Sequence, residues 1–281
     1  MHQSALTLTP SRAGCRPPRP RRRWLPAAAL VFVQCVATLP GSALAADLPE
    51  TISAVRRSVV AVGTFMAVRA QQHQLRGTGF VVAGNHAITN AHVVAAPLAA
   101  DRREAYALFL PAGKDRAEVR EASLVSKDEA HDLALLRFSG APLPALRLGT
   151  NADLREGETI AFTGYPAANA LGLFPVTHRG IISAVVPVAN PAGSGRDLTI
   201  DVLKRLDQPF NIIQLDATAY PGNSGSPVYQ ATTGKVLGVI NSVFIKGTKE
   251  VALTDPSGIS YAIPVDHVRA LLQAAGVKVP K

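Results

Sequence analysis

Pro221-Gly222-Asn223-Ser224-Gly225-Ser226-Pro227 sets a serine between two glycines within a proline-bounded turn. A nucleophilic hydroxyl has to stand exposed on a tight turn, with backbone N–H groups aimed at the oxyanion that forms. Glycine on either side lets the backbone bend and lets a substrate carbonyl approach. An ordinary surface turn has the same composition. In Thr89-Asn90-Ala91-His92-Val93-Val94 a histidine follows a short apolar run, and in His131-Asp132-Leu133-Ala134-Leu135-Leu136 an acid heads another. Taken singly, the first reads as a structural histidine and the second as a turn residue. Taken together they mean more. A serine hydroxyl attacks poorly until a base removes its proton, and the base needs a carboxylate to hold its tautomer. Ser224, His92 and Asp132 are therefore expected as nucleophile, base and orienting acid of an acyl-transfer triad.

Something must bring three residues together across more than 130 positions. The sequence order His, Asp, Ser is the one that the chymotrypsin-like fold uses, whereas subtilisin-like and α/β-hydrolase folds use others. The chain past residue 50 reads as short apolar runs broken by turn residues. The first set is 58–66, 79–82, 87–89, 106–110, 119–125 and 132–138, and the second is a run near 159, then 176–188, 212–215, 228–229, 236–243 and 259–263. Each half holds roughly six strands, for which closure into an antiparallel barrel is the natural solution because it removes sheet edges. The expectation is all-β: two six-stranded barrels, about 52–145 and about 155–264, with the site in the cleft between them. Val265, Val268, Leu271 and Leu272 recur at helical spacing and Gly276 suits a C-cap, so a helix over about 265–275 should lie on the second barrel. The proline-, glycine- and serine-containing stretch 189–209 reads as a long surface loop.

The net charge of +9 does not describe this domain. Six arginines (12, 16, 19, 21, 22 and 23) precede residue 45 and no acid does, leaving 23 basic against 20 acidic residues in the remainder. That balance argues against a nucleic-acid face. Residues 1–45 read as a signal peptide: a basic start, an apolar stretch over 27–39, the breaker Pro40-Gly41, then Ala43-Leu44-Ala45. Thirteen residues are too few to span roughly 30 Å of hydrocarbon, so no stable membrane association is expected after cleavage; the alternative is an uncleaved anchor. Arg21-Arg22-Arg23-Trp24-Leu25 also fits a twin-arginine signal. Both cysteines, Cys15 and Cys35, fall in this leader, and Cys35 follows Gln34 rather than the small residue a lipoprotein signal needs. The remaining domain, 46–281, would then rely on its core without disulfides, and 47% hydrophobic against 17% charged residues suits that. No His-Glu-x-x-His run or cysteine spacing marks a metal site, and no cofactor is expected.

The motifs carry a specific resemblance. Gly77-Thr78-Gly79-Phe80-Val81-Val82, Ala87 to Val94 and Asp132 to Leu136 are similar to the first barrel of the HtrA/Deg proteases of bacteria. Gln214-Leu215-Asp216-Ala217, Pro221 to Gly225 and Tyr261-Ala262-Ile263-Pro264 are similar to the second. Ser226-Pro227-Val228 is closer to the glutamyl endopeptidase (V8-like) branch. The resemblance runs over about 55–270, with no PDZ domain after it. It implies an exported, periplasmic or secreted, serine endopeptidase whose partners are polypeptide substrates, among them misfolded or unfolded exported proteins. It also implies an oxyanion hole from the N–H groups of Gly222 and Ser224, with Asp216 as a structural acid. The first specificity pocket would be lined by Thr218, Ala219, Ile240, Asn241 and Ser242. None of these is charged, so small or medium apolar residues should precede the cut. The V8-like branch carries a histidine where Ile240 stands. Two other functions use the same parts: a chaperone or peptide-binding protein on a protease scaffold, which has no need of three triad residues, and a hydrolase of small esters or cell-wall peptides, which uses the same acyl transfer. Nothing in the sequence specifies an oligomer.

Overall fold

The structure is a computed structural model; it describes residues 47–113, 116–166, 168, 172–187, 210–241 and 258–280. The expected signal peptide and the loop 189–209 lie outside the described residues. Those described fall within one unit, Leu44–Lys281. No helix among them is long and apolar enough to cross a membrane.

Among the described residues, twelve strands form two closed antiparallel barrels. The first contains β1 (Val59–Phe65), β2 (His73–Ala83), β3 (His86–Thr89), β4 (Ala105–Pro111), β5 (Ala117–Asp128) and β6 (Leu133–Phe138), in the order β1-β2-β3-β6-β5-β4. The second contains β7 (Thr159–Gly164), β8 (Val176–Pro187), β9 (Asn211–Asp216), β10 (Pro227–Gln230), β11 (Val236–Ile240) and β12 (Ile259–Pro264), ordered β10-β11-β12-β9-β8-β7. The expected architecture of two six-stranded barrels holds. The apolar runs marked the centres of the strands. Their ends reach further, because exposed or partly exposed strand ends such as His73-Gln74 and Ser126–Asp128 carry polar side chains while their backbones still pair.

Each barrel has its own core. Val60, Val62, Val81, Leu108 and Leu136 fill the first; Ile160, Phe162, Ile182, Ile213 and Ile240 fill the second. A third cluster runs between them, from Val59, Phe80 and Leu135 through Tyr165 and Tyr229 to the C-terminal helix α2 (Val265–Ala274). Val265, Val268, Leu271 and Leu272 of α2 are buried, as the spacing predicts, and each such side chain contributes about 1.5–3 kcal/mol by leaving water. This seam ties the two barrels together and so sets the width of the cleft.

A short helix that the sequence reading did not anticipate, α1 (Leu48–Arg56), precedes β1. Its signals are ordinary ones: Asp47 accepts from the Leu48 N–H at 2.8 Å, a proline stands in the first turn, and Thr51 and Val55 are buried.

Candidate active site

The pairing of β3 with β6 brings the first two expected residues together. Thr89 lies opposite Ala134, so the same antiparallel register, continued past the strand ends, sets Ala91 opposite Asp132. The Ala91 N–H donates to the Asp132 carbonyl at 3.0 Å and the Asn90 amide donates to the same oxygen at 3.0 Å. His92 then sits in a 3-10 turn, Ala91–Val94, with its side chain beside the acid. Asp132 has φ 52°, in the left-handed region that aspartate and asparagine tolerate better than most residues.

The Asp132 carboxylate is buried and fully used. Its Oδ1 accepts the His92 backbone N–H at 2.8 Å. Its Oδ2 lies 2.6 Å from His92 Nδ1 and accepts from Asn241 Nδ2 at 2.8 Å. An ionised carboxylate only accepts, so Nδ1 must carry the proton and a neutral imidazole is left with Nε2 as the acceptor. The arrangement thus presents a base through the ring nitrogen turned away from the acid.

Ser224 lies in the turn between β9 and β10. The Asn223 N–H donates to the Tyr220 carbonyl and the Ser226 N–H to the Asn223 carbonyl, both at 2.9 Å. Thr78 of β2 fastens this turn to the first barrel: its N–H donates to the Ser224 carbonyl at 2.8 Å and its hydroxyl to the Gly222 carbonyl at 2.7 Å. That hydroxyl accepts from the Tyr165 N–H at 2.9 Å, and the Thr78 carbonyl accepts from Thr89 Oγ1 at 2.6 Å. Two glycines make the approach possible. A Cβ on Gly77 would fall 2.9 Å from the Ser224 carbonyl oxygen and 2.8 Å from Val93 Cγ2, so its absence lets the serine turn and the histidine turn flank one strand residue. Gly225 has φ 88°, and a side chain there would overlap the Thr78 carbonyl. Ser224 is 4% exposed, and Gly222 lines a recess that His92 also lines.

The expected pocket residues are placed differently from one another. Thr218 is half-buried and Ala219 is buried. Ile240 has no exposed surface and packs in the core of the second barrel. Asn241, expected to line the pocket, donates its amide to Asp132 Oδ2. It is a further support of the acid, because β11 ends beside the cleft. Ser242 lies outside the described residues. Asp216 is exposed at the end of β9. Two residues here went unread in the sequence. Ser260 of β12 accepts from the Ala219 N–H at 2.8 Å and donates to the Ala217 carbonyl at 2.7 Å, bracing the segment before Ser224. His178 of β8 stacks on Phe162 at 4.8 Å with Tyr220 at 5.7 Å, and burial lowers its pKa. Neither carries a local signal: one serine and one histidine in a strand look like any others until the strands are paired.

The comparisons with known proteins agree with this fold. The family model described as the trypsin-like peptidase domain matches residues 77–239. A probable periplasmic serine endoprotease DegP-like of Pseudomonas fluorescens is 32% identical over 199 residues, covering 70% of this chain and 34% of its own length. The mitochondrial serine protease HTRA2 of Bos taurus is 37% identical over 198 residues, covering 70% and 35%. The chain thus spans about a third of the length of these curated relatives. The solved structure of the HtrA-type protease AlgW with a tripeptide superposes with a TM-score of 0.57 at 25% identity, covering 82% of this chain and 63% of that one. With the family model matching more than half of the residues on a two-barrel fold, the chain belongs to the trypsin-like peptidases and is HtrA-like among them.

Proposed function

We propose that the chain is an exported serine endopeptidase that cleaves polypeptides through an acyl-enzyme. Ser224 attacks the scissile carbonyl, and His92 Nε2 takes its proton and later gives it to the leaving amine. Asp132 holds the imidazole and stabilises the cation that forms. The N–H groups of Gly222 and Ser224 receive the oxyanion. The observation that carries this reading is the half-buried His92 held by the buried Asp132, whose 2.6 Å contact assigns the tautomer of a base, beside a serine turn fastened to the same barrel. The chemistry draws only on side chains and backbone and requires no cofactor.

Residues 1–45 act as the signal peptide and 46–281 as the protease domain. Export to the periplasm is supported by the relative named as periplasmic. Misfolded or loosely folded exported proteins are the substrate class, because an endopeptidase needs an extended segment to enter the cleft. Thr218 and Ala219 are uncharged, which favours small or medium apolar residues before the cut, since a charged side chain entering there would lack a partner.

Hydrolysis of casein and of a peptide library, with labelling of Ser224 by a fluorophosphonate, tests the reading. Ser224→Ala should lower turnover by roughly four to six powers of ten. Near-normal hydrolysis by the folded variant would refute the assignment.

A further inference from the structure

Arg76 of β2 lines a recess of about 440 Å³ together with Leu75, His92, Tyr165, Pro221 and Gly222. Its side chain is 18% exposed, and Nη1 is buried with no hydrogen-bond partner among the described residues. Nη2 stands 4.0 Å from Glu104 Oε1, at the limit of an ion pair. Glu104 is already engaged. Its Oε1 accepts from Thr64 Oγ1 at 2.6 Å and from Arg69 Nη1 at 3.0 Å, and its Oε2 accepts the Ala99 N–H at 3.0 Å. Two guanidiniums therefore share one carboxylate, and a guanidinium does not lose its charge in a protein. A half-buried cation whose acidic neighbour is shared is best completed by an anion that reaches it from the recess.

The recess has a definite place relative to the reaction. His92 and Gly222 line it, and none of the expected first-pocket residues Thr218, Ala219, Ile240 or Asn241 does. A recess lined by His92 and apart from the expected first pocket suits the leaving-group side of the scissile bond, where His92 would hand its proton to the departing amine. We propose that Arg76 forms a carboxylate subsite there, selecting substrates with a carboxylate on the first or second residue after the cut. This rests on the protease reading above. The carboxylate is supplied either by an aspartate or glutamate side chain or by the substrate's own C-terminus; a guanidinium fork suits both.

The test uses the full-length protein and three peptide sets that are identical up to the cleaved bond. The first is neutral and amidated after it. The second is amidated with Asp or Glu at the first or second position after the bond. The third is neutral and ends there in a free carboxylate. The second or third set should exceed the first in kcat/KM by roughly tenfold to hundredfold, as expected for a hydrogen bond between charged groups. Preference for the second set assigns an acidic side chain, and for the third a terminal carboxylate. Arg76→Gln should bring the ratio of acidic to neutral peptides close to one, and Arg76→Lys should retain part of it. Equal rates for all three sets on the unaltered protein would overturn the proposal without any variant, as would a preference that survives in Arg76→Gln. Absence of both hydrolysis and fluorophosphonate labelling would instead sink the protease reading, and this subsite with it.

Discussion

Replacing His267 by glutamine should flatten the acid limb of the stability curve. His267 lies on α2, half-buried, stacked 3.8 Å from the ring of His131, with Phe210 edge-on at 5.3 Å. Asp128 Oδ2 lies 2.6 Å from His131 Nδ1. Burial, then the neighbouring His131, lowers the His267 pKa from 6.5 to about 4, against the partial opposition of Asp128 and Asp266. The folded pKa is thus below the unfolded one. Between these values the unfolded chain binds a proton that the native chain refuses, so stability falls as the pH drops from above 6.5 towards 4. The linkage comes to about 2 kcal/mol between pH 7 and pH 5 as an upper figure, because solvent screening reaches a half-exposed ring. His178 is lowered by burial and shifts stability in the same direction, so the readout is a difference between two proteins. Urea unfolding of the wild type and of His267→Gln at pH 7 and at pH 5 measures it. The wild type should lose about 1–2 kcal/mol more than the variant over that interval. Equal losses would refute the reasoning and show that the ring titrates in the native state much as it does in water.

Two other expectations follow from the site. Asn241→Ala removes one of the donors to Asp132 Oδ2 and should lower kcat roughly tenfold to hundredfold with little change in KM, as the loss of a hydrogen bond to a charged group; steady-state kinetics with an unchanged kcat would return Asn241 to a purely structural role. Gly225→Ala places a side chain at φ 88° against the Thr78 carbonyl and should cost about 3 kcal/mol or more along with activity; wild-type stability in urea would mean that the turn can move away from β2.

How far the sequence reached can be seen residue by residue. His92 and Asp132 stood out as candidates because each adjoins an apolar strand and because the order of the three motifs is chemically meaningful, and the structure sets them 2.6 Å apart. Ser224 stood out as a candidate because a nucleophile's turn demands glycine. The strands were legible because alternating or continuous apolar runs between turn residues are a local property of the chain. α1 was passed over although Asp47 and the proline after Leu48 mark its start, since nine residues carry too little periodicity to stand out.

By itself, then, the sequence determined the all-β class, the number of strands in each half, the C-terminal helix and the residue types able to perform acyl transfer. These follow from side-chain chemistry and from patterns over a few neighbouring positions. The tertiary structure alone decided who supports whom. The amide of Asn241 meets Asp132 across 109 positions, Thr78 ties the Ser224 turn to the first barrel across 144 by way of Gly222, and Arg76 comes to share a recess with His92. The reason is geometric: closing each sheet into a barrel and packing two barrels on one seam brings strand ends from distant parts of the chain to the same cleft. A partner chosen by closure leaves no mark on the residues beside it in sequence.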